Sequence, residues 1–247
     1  VPALIVALDV PGLREAAGLV ERLRPLTPWF KIGPVLFVRE GPAAVRLVHE
    51  AGGRVFLDLK LHDIPRTAAG GVAAAADLGV ALITVHCAGG AAMLRAAAEA
   101  ARPAAGRMAV LGVTRLTSDA GRLAASVLRA ARLAQEAGLD GVTAAVAECA
   151  RIKAACGPAF RVLTPAIRPR GGAADDQARV ATPAAAVRAG SDYLVVGRPI
   201  VAAADPVAVA RAVAAEMAAA GDAESRRRAA ARRPRSARRG RDAPRRP

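Results

Sequence analysis

Asp58, Lys60 and Asp63 crowd into one short stretch, Leu57-Asp58-Leu59-Lys60-Leu61-His62-Asp63-Ile64-Pro65. A fixed ammonium beside carboxylates can stabilise developing negative charge and then deliver a proton to it. The stretch follows Gly52-Gly53-Arg54-Val55-Phe56, a turn leading into apolar β-formers. Residues 55–59 therefore read as a buried strand with Asp63 just past its end. Side chains alternate along a strand, so Asp58 and Lys60 share one face and Leu57 and Leu59 take the other. Burying such charges costs on the order of several kcal/mol per ion. The alternative is a structural ion pair closing one end of a barrel, and these residues alone leave both readings open.

Lysine usage adds weight to the chemical reading. Of 36 basic residues only Lys31, Lys60 and Lys153 are lysine. Arginine cannot release its proton at working pH, so a retained lysine marks a place where a compact, exchangeable ammonium is useful. Lys31 follows Trp29-Phe30 on another short apolar run.

The elements that must position these groups are short apolar strands alternating with Ala-rich helices. Strands are predicted over residues 3–8, 29–32, 55–59, 82–85, 108–113, 141–145, 161–163 and 193–196. Helices are predicted over 14–23, 35–51, 67–78, 91–101, 121–137, 147–155, 183–189 and from 206 to about 219. Thr182-Pro183 and Asp205-Pro206 supply N-cap and first-turn proline, and Gly190 a stop. At 247 residues, eight strand–helix units read as an α/β fold, a single (β/α)8 TIM barrel over residues 1–221. Function in such a barrel sits on the loops after the strands' C-terminal ends. The polar residues that interrupt the apolar pattern fall there: Asp9, Lys31, Asp58, Lys60, Asp63, His86, Thr114, Thr117, Arg168 and Arg198.

The loops after strands seven and eight fit a phosphate. Gly197-Arg198-Pro199 combines close backbone approach, a bidentate fork and a helix start. Thr164-Pro165-Ala166-Ile167-Arg168-Pro169 is a rigid loop with a second Arg, and Gln177 could close over the anion, although taken alone it reads as a solvated loop amide. No paired ligands stand at metal spacing. Asp9, Asp58 and Asp63 would suit Mg²⁺ in principle, but Lys31 and Lys60 among them neutralise the site. His49 and His62 read as surface and packing residues, while His86 stands between a structural and a pocket role.

The net charge of +15 is unevenly spread. Residues 222–247 hold eleven Arg against Asp222, Glu224 and Asp242, which is +8 in one segment. Pro and Ala with no apolar period make this a disordered basic tail, suited to no more than weak, salt-sensitive contact with nucleic acid. Aromatics, at 2%, are too few for base-stacking platforms. Cys87, Cys149 and Cys156 form no framework, so reduced thiols in a cytoplasmic protein are expected. No signal peptide is read at the start. Residues 70–94 are rejected as a membrane span, being Gly/Ala-rich and punctuated by Asp77-Leu78-Gly79.

The motif Asp58-Leu59-Lys60-Leu61-His62-Asp63-Ile64-Pro65 resembles the signature of bacterial orotidine 5′-phosphate decarboxylases, the enzymes that make UMP. Supporting segments run in order: Ile5-Val6-Ala7-Leu8-Asp9, Phe30-Lys31-Ile32-Gly33, Val85-His86-Cys87-Ala88-Gly89-Gly90, Val113-Thr114-Arg115-Leu116-Thr117-Ser118, Thr164-Pro165-Ala166-Ile167-Arg168-Pro169, Asp176-Gln177-Ala178-Arg179-Val180-Ala181-Thr182-Pro183 and Val196-Gly197-Arg198. The resemblance implies a cytoplasmic homodimeric barrel that converts orotidine 5′-phosphate to UMP without metal or organic cofactor. By the same resemblance Asp9 and Lys31 would hold the ribose hydroxyls, Lys60 would donate the proton, and Asp58 would face the substrate carboxylate. Asp63, with Thr67 near it, would reach the partner subunit's site. Thr117 and Ser118 would read the pyrimidine edge, and Arg168, Gln177, Gly197 and Arg198 the phosphate. Ala166 departs from the glycine usual in the family, and the Arg-rich tail has no counterpart there. Two other readings stay in view: a Mg²⁺-dependent sugar-phosphate decarboxylase or aldolase of the same superfamily, and a basic RNA-binding protein on a barrel scaffold.

Overall fold

The structure is a computed structural model that describes residues 2–115, 124–169 and 181–231. Eight parallel strands close into a barrel in sequence order: β1 (Ala3–Ala7), β2 (Trp29–Ile32), β3 (Arg54–Leu61), β4 (Leu82–His86), β5 (Ala109–Val113), β6 (Gly141–Thr143), β7 (Arg161–Thr164) and β8 (Tyr193–Val196). Around it lie α1 (Leu13–Leu23), α2 (Pro34–Glu40), α3 (Pro42–Glu50), α4 (Pro65–Asp77), α5 (Gly90–Ala101), α6 (Ala124–Glu136), α7 (Val146–Cys156), α8 (Pro183–Ala189), α9 (Arg198–Val201) and α10 (Pro206–Ala231). The (β/α)8 expectation is borne out.

Strand alternation divides the core in two. Outward-facing Val6, Phe30, Val55, Ile83, Val110, Val142 and Val162 pack under the helices. Inward-facing Ile5, Trp29, Phe56, Leu82, Leu111, Leu163 and Val195 fill the barrel. Burial of each such side chain contributes about 1.5–3 kcal/mol. At the strands' N-terminal end, Trp29 meets Tyr193 edge-on at 5.6 Å and carries the Arg54 guanidinium 4.2 Å above its ring. Lys153 belongs to this closed end too. Its ammonium donates to Asp192 Oδ2 (2.6 Å) and to the carbonyls of Phe160 (2.9 Å) and Pro158 (3.0 Å). The third lysine is therefore a staple between α7, β7 and β8, away from the open end of the barrel.

The caps hold as read. Thr182 Oγ1 accepts from Ala185 N–H, Asp205 Oδ1 accepts from Val207 and Ala208 N–H, and Gly190 ends α8 in the left-handed region. Three expectations need correction. The single helix over residues 35–51 is two helices, because Gly41 takes φ +55° and Pro42 cannot continue the turn before it. The third strand runs on to Leu61 through an irregular register with β4 between Leu57 and Leu61. The last helix continues past residue 219 to Ala231, since Ala, Glu and Arg there are strong helix formers and the next proline is Pro234. Residues 222–231, assigned to the disordered tail, thus belong to α10; the remainder of that tail lies outside the described residues. Among the described residues no helix is long and apolar enough to cross a membrane.

Candidate active site

The upper layer of the barrel interior changes character. Continuing the inward-facing rows past Trp29, Phe56 and Leu82 gives Lys31, Asp58 and Thr84. These are the residues that alternation places at the open, C-terminal end of the strands.

Asp58 is the hub. Its Oδ2 lies 2.9 Å from Lys60 Nζ and 3.8 Å from Lys31 Nζ, and its Oδ1 accepts from the Thr84 hydroxyl at 2.9 Å. Lys31 also donates to Asp9 Oδ1 at 3.0 Å. The chain Asp9–Lys31–Asp58–Lys60 alternates in sign, so each charge in this half-buried cluster has an opposite neighbour. Asp58 and Lys31 are the most enclosed, with side chains 13% and 11% exposed; Lys60 is 36% exposed and faces the opening.

Lys60 arrives there by a backbone turn as well as by strand alternation. Its φ is +50°, one of two non-glycine positive values among the described residues. Its N–H donates to Thr84 Oγ1 at 2.9 Å. Gly33 makes room nearby: a Cβ there would stand 2.8 Å from Lys31 Nζ and 3.2 Å from Asp9 Oδ1.

These groups open into a cavity of about 340 Å³. The same cavity is lined by Arg168, Gly197 and Arg198, as expected for the loops after β7 and β8. Gly197 is packed tightly, since a Cβ would come within 3.3 Å of both Ala7 Cβ and Asp9 Oδ2. The loop before Arg168 bends at Ala166, whose φ is +60°. Glycine would enter this left-handed backbone without the cost that a Cβ brings. Arg115, Thr143 and Pro199 complete the polar and apical wall.

Thus Asp9, Lys31, Asp58, Lys60, Arg168, Gly197 and Arg198 come together around one cavity. Asp63 and Thr67 do not line it; both are exposed, and Asp63 Oδ1 accepts from Ile64 N–H. Thr117, Ser118 and Gln177 lie outside the described residues. Thr114 and His86 do not line the cavity. Thr114 Oγ1 donates to the Thr143 carbonyl, and His86 Nδ1 accepts from Ala88 N–H while its ring stacks on His62 at 5.3 Å. No metal-like cluster of His, Cys, Asp or Glu occurs among the described residues, and Asp9, Asp58 and Asp63 do not converge.

Sequence reasoning missed Thr84, Thr143, Arg115 and Gly33. Thr84 reads as an ordinary β-former, although an inward position opposite Asp58 follows from strand parity. Thr143 lines the cavity and is buried, its hydroxyl lacking a partner among the described residues.

Residues 2–213 fit the orotidine 5′-phosphate decarboxylase / HUMPS family. The chain belongs to that family. It is 51% identical over 220 residues to orotidine 5′-phosphate decarboxylase of Moorella thermoacetica, covering 83% of this chain and 87% of the relative. It is also 51% identical over 215 residues to the orotidine 5′-phosphate decarboxylase of Halorhodospira halophila, covering 83% and 91%. Among solved structures, the orotidine 5′-phosphate decarboxylase of Lactobacillus acidophilus superposes with a TM-score of 0.77 at 34% identity, covering 88% of this chain and 99% of that one.

Proposed function

We propose that this chain is a carboxy-lyase that converts orotidine 5′-phosphate to UMP, with Lys60 as the proton donor. The observation that carries the reading is the charge of the cavity. Lys31, Lys60, Arg115, Arg168 and Arg198 line it against Asp9 and Asp58, a net charge of +3. A nucleotide bearing a phosphate, about −1.5 to −2 at neutral pH, and a ring carboxylate supplies a matching negative charge. The arginines of the β7 and β8 loops and the Lys–Asp chain line one space, which suits a substrate charged at two places.

In the proposed reaction the bond from C6 to the carboxylate breaks, CO2 leaves, and the electron pair stays on C6. No ring position delocalises that pair well, so a fixed ammonium must stabilise it. The Lys60 ammonium then gives its proton to C6, and the neutral amine regains one from solvent. Asp58 holds that ammonium at 2.9 Å and faces the departing carboxylate. Asp9 and Lys31 take the ribose hydroxyls, and Arg168, Gly197 and Arg198 the phosphate. Thr117 and Ser118 are assigned to the pyrimidine edge and Gln177 to the phosphate. Phosphate contacts remote from C6 contribute binding energy expressed in the transition state.

The same reading needs no metal or organic cofactor. Asp58 already engages two ammonium groups and a hydroxyl, which leaves it little to offer a divalent cation. It is also dimeric, with Asp63 and Thr67 serving the neighbouring subunit's cavity. Their exposure outside their own cavity supports this, as do exposed Ile64 (66%), Val35 (61%) and Val38 (83%), which follow β3 and the adjacent β2. Three free buried thiols fit a reducing, cytoplasmic setting.

The test is turnover of orotidine 5′-phosphate, followed by UV absorbance, by protein treated with chelator. Undiminished turnover is expected; activity that chelator abolishes and Mg²⁺ restores would favour the metal-dependent alternative. For the shared site, inactive Lys60→Ala and Asp63→Ala subunits are mixed and allowed to exchange. Two-fold symmetry puts both defects in one heterodimer site and neither in the other, so about half of the sites per heterodimer regain activity. No recovery, with exchange verified by mass, would place Asp63 in its own subunit's chemistry.

A further inference from the structure

Thr84 is fully buried on β4, at the inward position beside Asp58. It is placed between the two residues on which the proposed chemistry depends. Its hydroxyl donates to Asp58 Oδ1 at 2.9 Å, and the same oxygen accepts from the Lys60 N–H at 2.9 Å. The polarity of this relay is fixed. The amide can only donate, so the single hydroxyl hydrogen is free to go to the carboxylate.

Each bond answers a specific need. Lys60 holds a left-handed backbone at φ +50°, unusual for a residue with a Cβ, inside the irregular stretch between Leu57 and Leu61. A hydrogen bond to its N–H anchors the backbone where it departs from regular pairing. Asp58, in turn, has one oxygen committed to Thr84, which turns the other toward both ammonium groups, 2.9 Å from Lys60 and 3.8 Å from Lys31. The β-branched side chain has a restricted χ1, so the hydroxyl direction is itself held.

We propose that Thr84 is a positioning residue for decarboxylation, one hydroxyl setting both the rotation of the Asp58 carboxylate and the kinked backbone that aims the Lys60 ammonium. This rests on the reading of Lys60 as proton donor. Thr84 does not line the cavity, so its removal should affect the chemical step and leave ligand binding nearly unchanged.

The experiment compares Thr84→Val, which keeps the shape, with Thr84→Ser, which keeps the hydroxyl, and with Lys60→Ala as reference. Thr84→Val is expected to lower kcat at least thirtyfold, with KM and the Kd for UMP within threefold of wild type. Thr84→Ser is expected to stay within fivefold of wild-type kcat. Amide exchange in the peptide that carries Lys60 is expected to quicken at least tenfold in Thr84→Val and not in Thr84→Ser. If Thr84→Val does not fold, Thr84→Ala is held to the same criteria. A Thr84→Val kcat within threefold of wild type, or equal losses in the Val and Ser variants, overturns the proposal. So does a loss confined to KM and UMP affinity. An active Lys60→Ala would instead remove the premise, so the two failures are told apart.

Discussion

Ala166→Gly is expected to make the protein more stable, against the usual direction of an alanine-to-glycine change. The residue sits at φ +60° in the loop that carries Arg168. The left-handed conformation costs an L-residue about 1–2 kcal/mol, whereas glycine enters it freely. Glycine also gains freedom in the unfolded chain, which takes back about 0.4–1 kcal/mol. The balance is a gain of roughly 0.5–1 kcal/mol, or about 1–4 °C in Tm for a domain of this size. The loop is otherwise tied down, since Arg168 N–H donates to the Ala181 carbonyl at 2.9 Å and Ile167 bridges to Ala181, so the strain has little room to relax. Urea unfolding gives the sign directly, as a midpoint that rises at constant m. Had Ala166 an ordinary helical or extended backbone, the same change would lower stability by about 0.5–1 kcal/mol. A lowered midpoint would therefore refute the left-handed assignment and the strain drawn from it.

Gly33→Ala would put a Cβ 2.8 Å from Lys31 Nζ, so the ammonium must leave Asp9; KM for orotidine 5′-phosphate is expected to rise about tenfold, or ~1.4 kcal/mol, with Tm nearly unchanged because φ is an ordinary −94°. Arg198→Ala is expected to weaken binding of UMP far more than of uridine, by titration calorimetry, and equal losses would contradict a phosphate contact. Burial pushes the Cys87 and Cys149 thiols up to about 12. Their folded values exceed the unfolded value, so the stability they contribute is complete below about pH 8.5 and is lost as pH rises toward 12. Urea midpoints should fall between pH 8 and pH 10, by roughly 2 kcal/mol per thiol, and Cys87→Ala/Cys149→Ala should flatten that fall.

The barrel was legible because its signals are local. Apolar runs alternate with helical stretches, and the caps at Thr182 and Asp205 carry their own chemistry. The charged half of the site was legible because Asp58, Lys60, Lys31 and Arg198 interrupt apolar strands at one end. Thr84 was not, because threonine suits a strand whether or not its hydroxyl has work to do; only the contact across β3 and β4 reveals its use. The left-handed turn at Lys60 was equally hidden, since alternation alone already placed Lys60 beside Asp58. The break at Gly41-Pro42 is written in the sequence, a glycine and a proline set inside an otherwise helical period. Asp63 and Thr67 show the limit of a single chain: their proposed site belongs to a second copy, which no local pattern can display.

The assignment of Lys60 is tested most directly by Lys60→Ala, assayed for turnover of orotidine 5′-phosphate and, in the same preparation, for UMP binding. The expected result is a folded protein that binds UMP and has lost decarboxylation. Retention of even a tenth of wild-type kcat, a barrier change of only ~1.4 kcal/mol, would remove Lys60 from the role of proton donor.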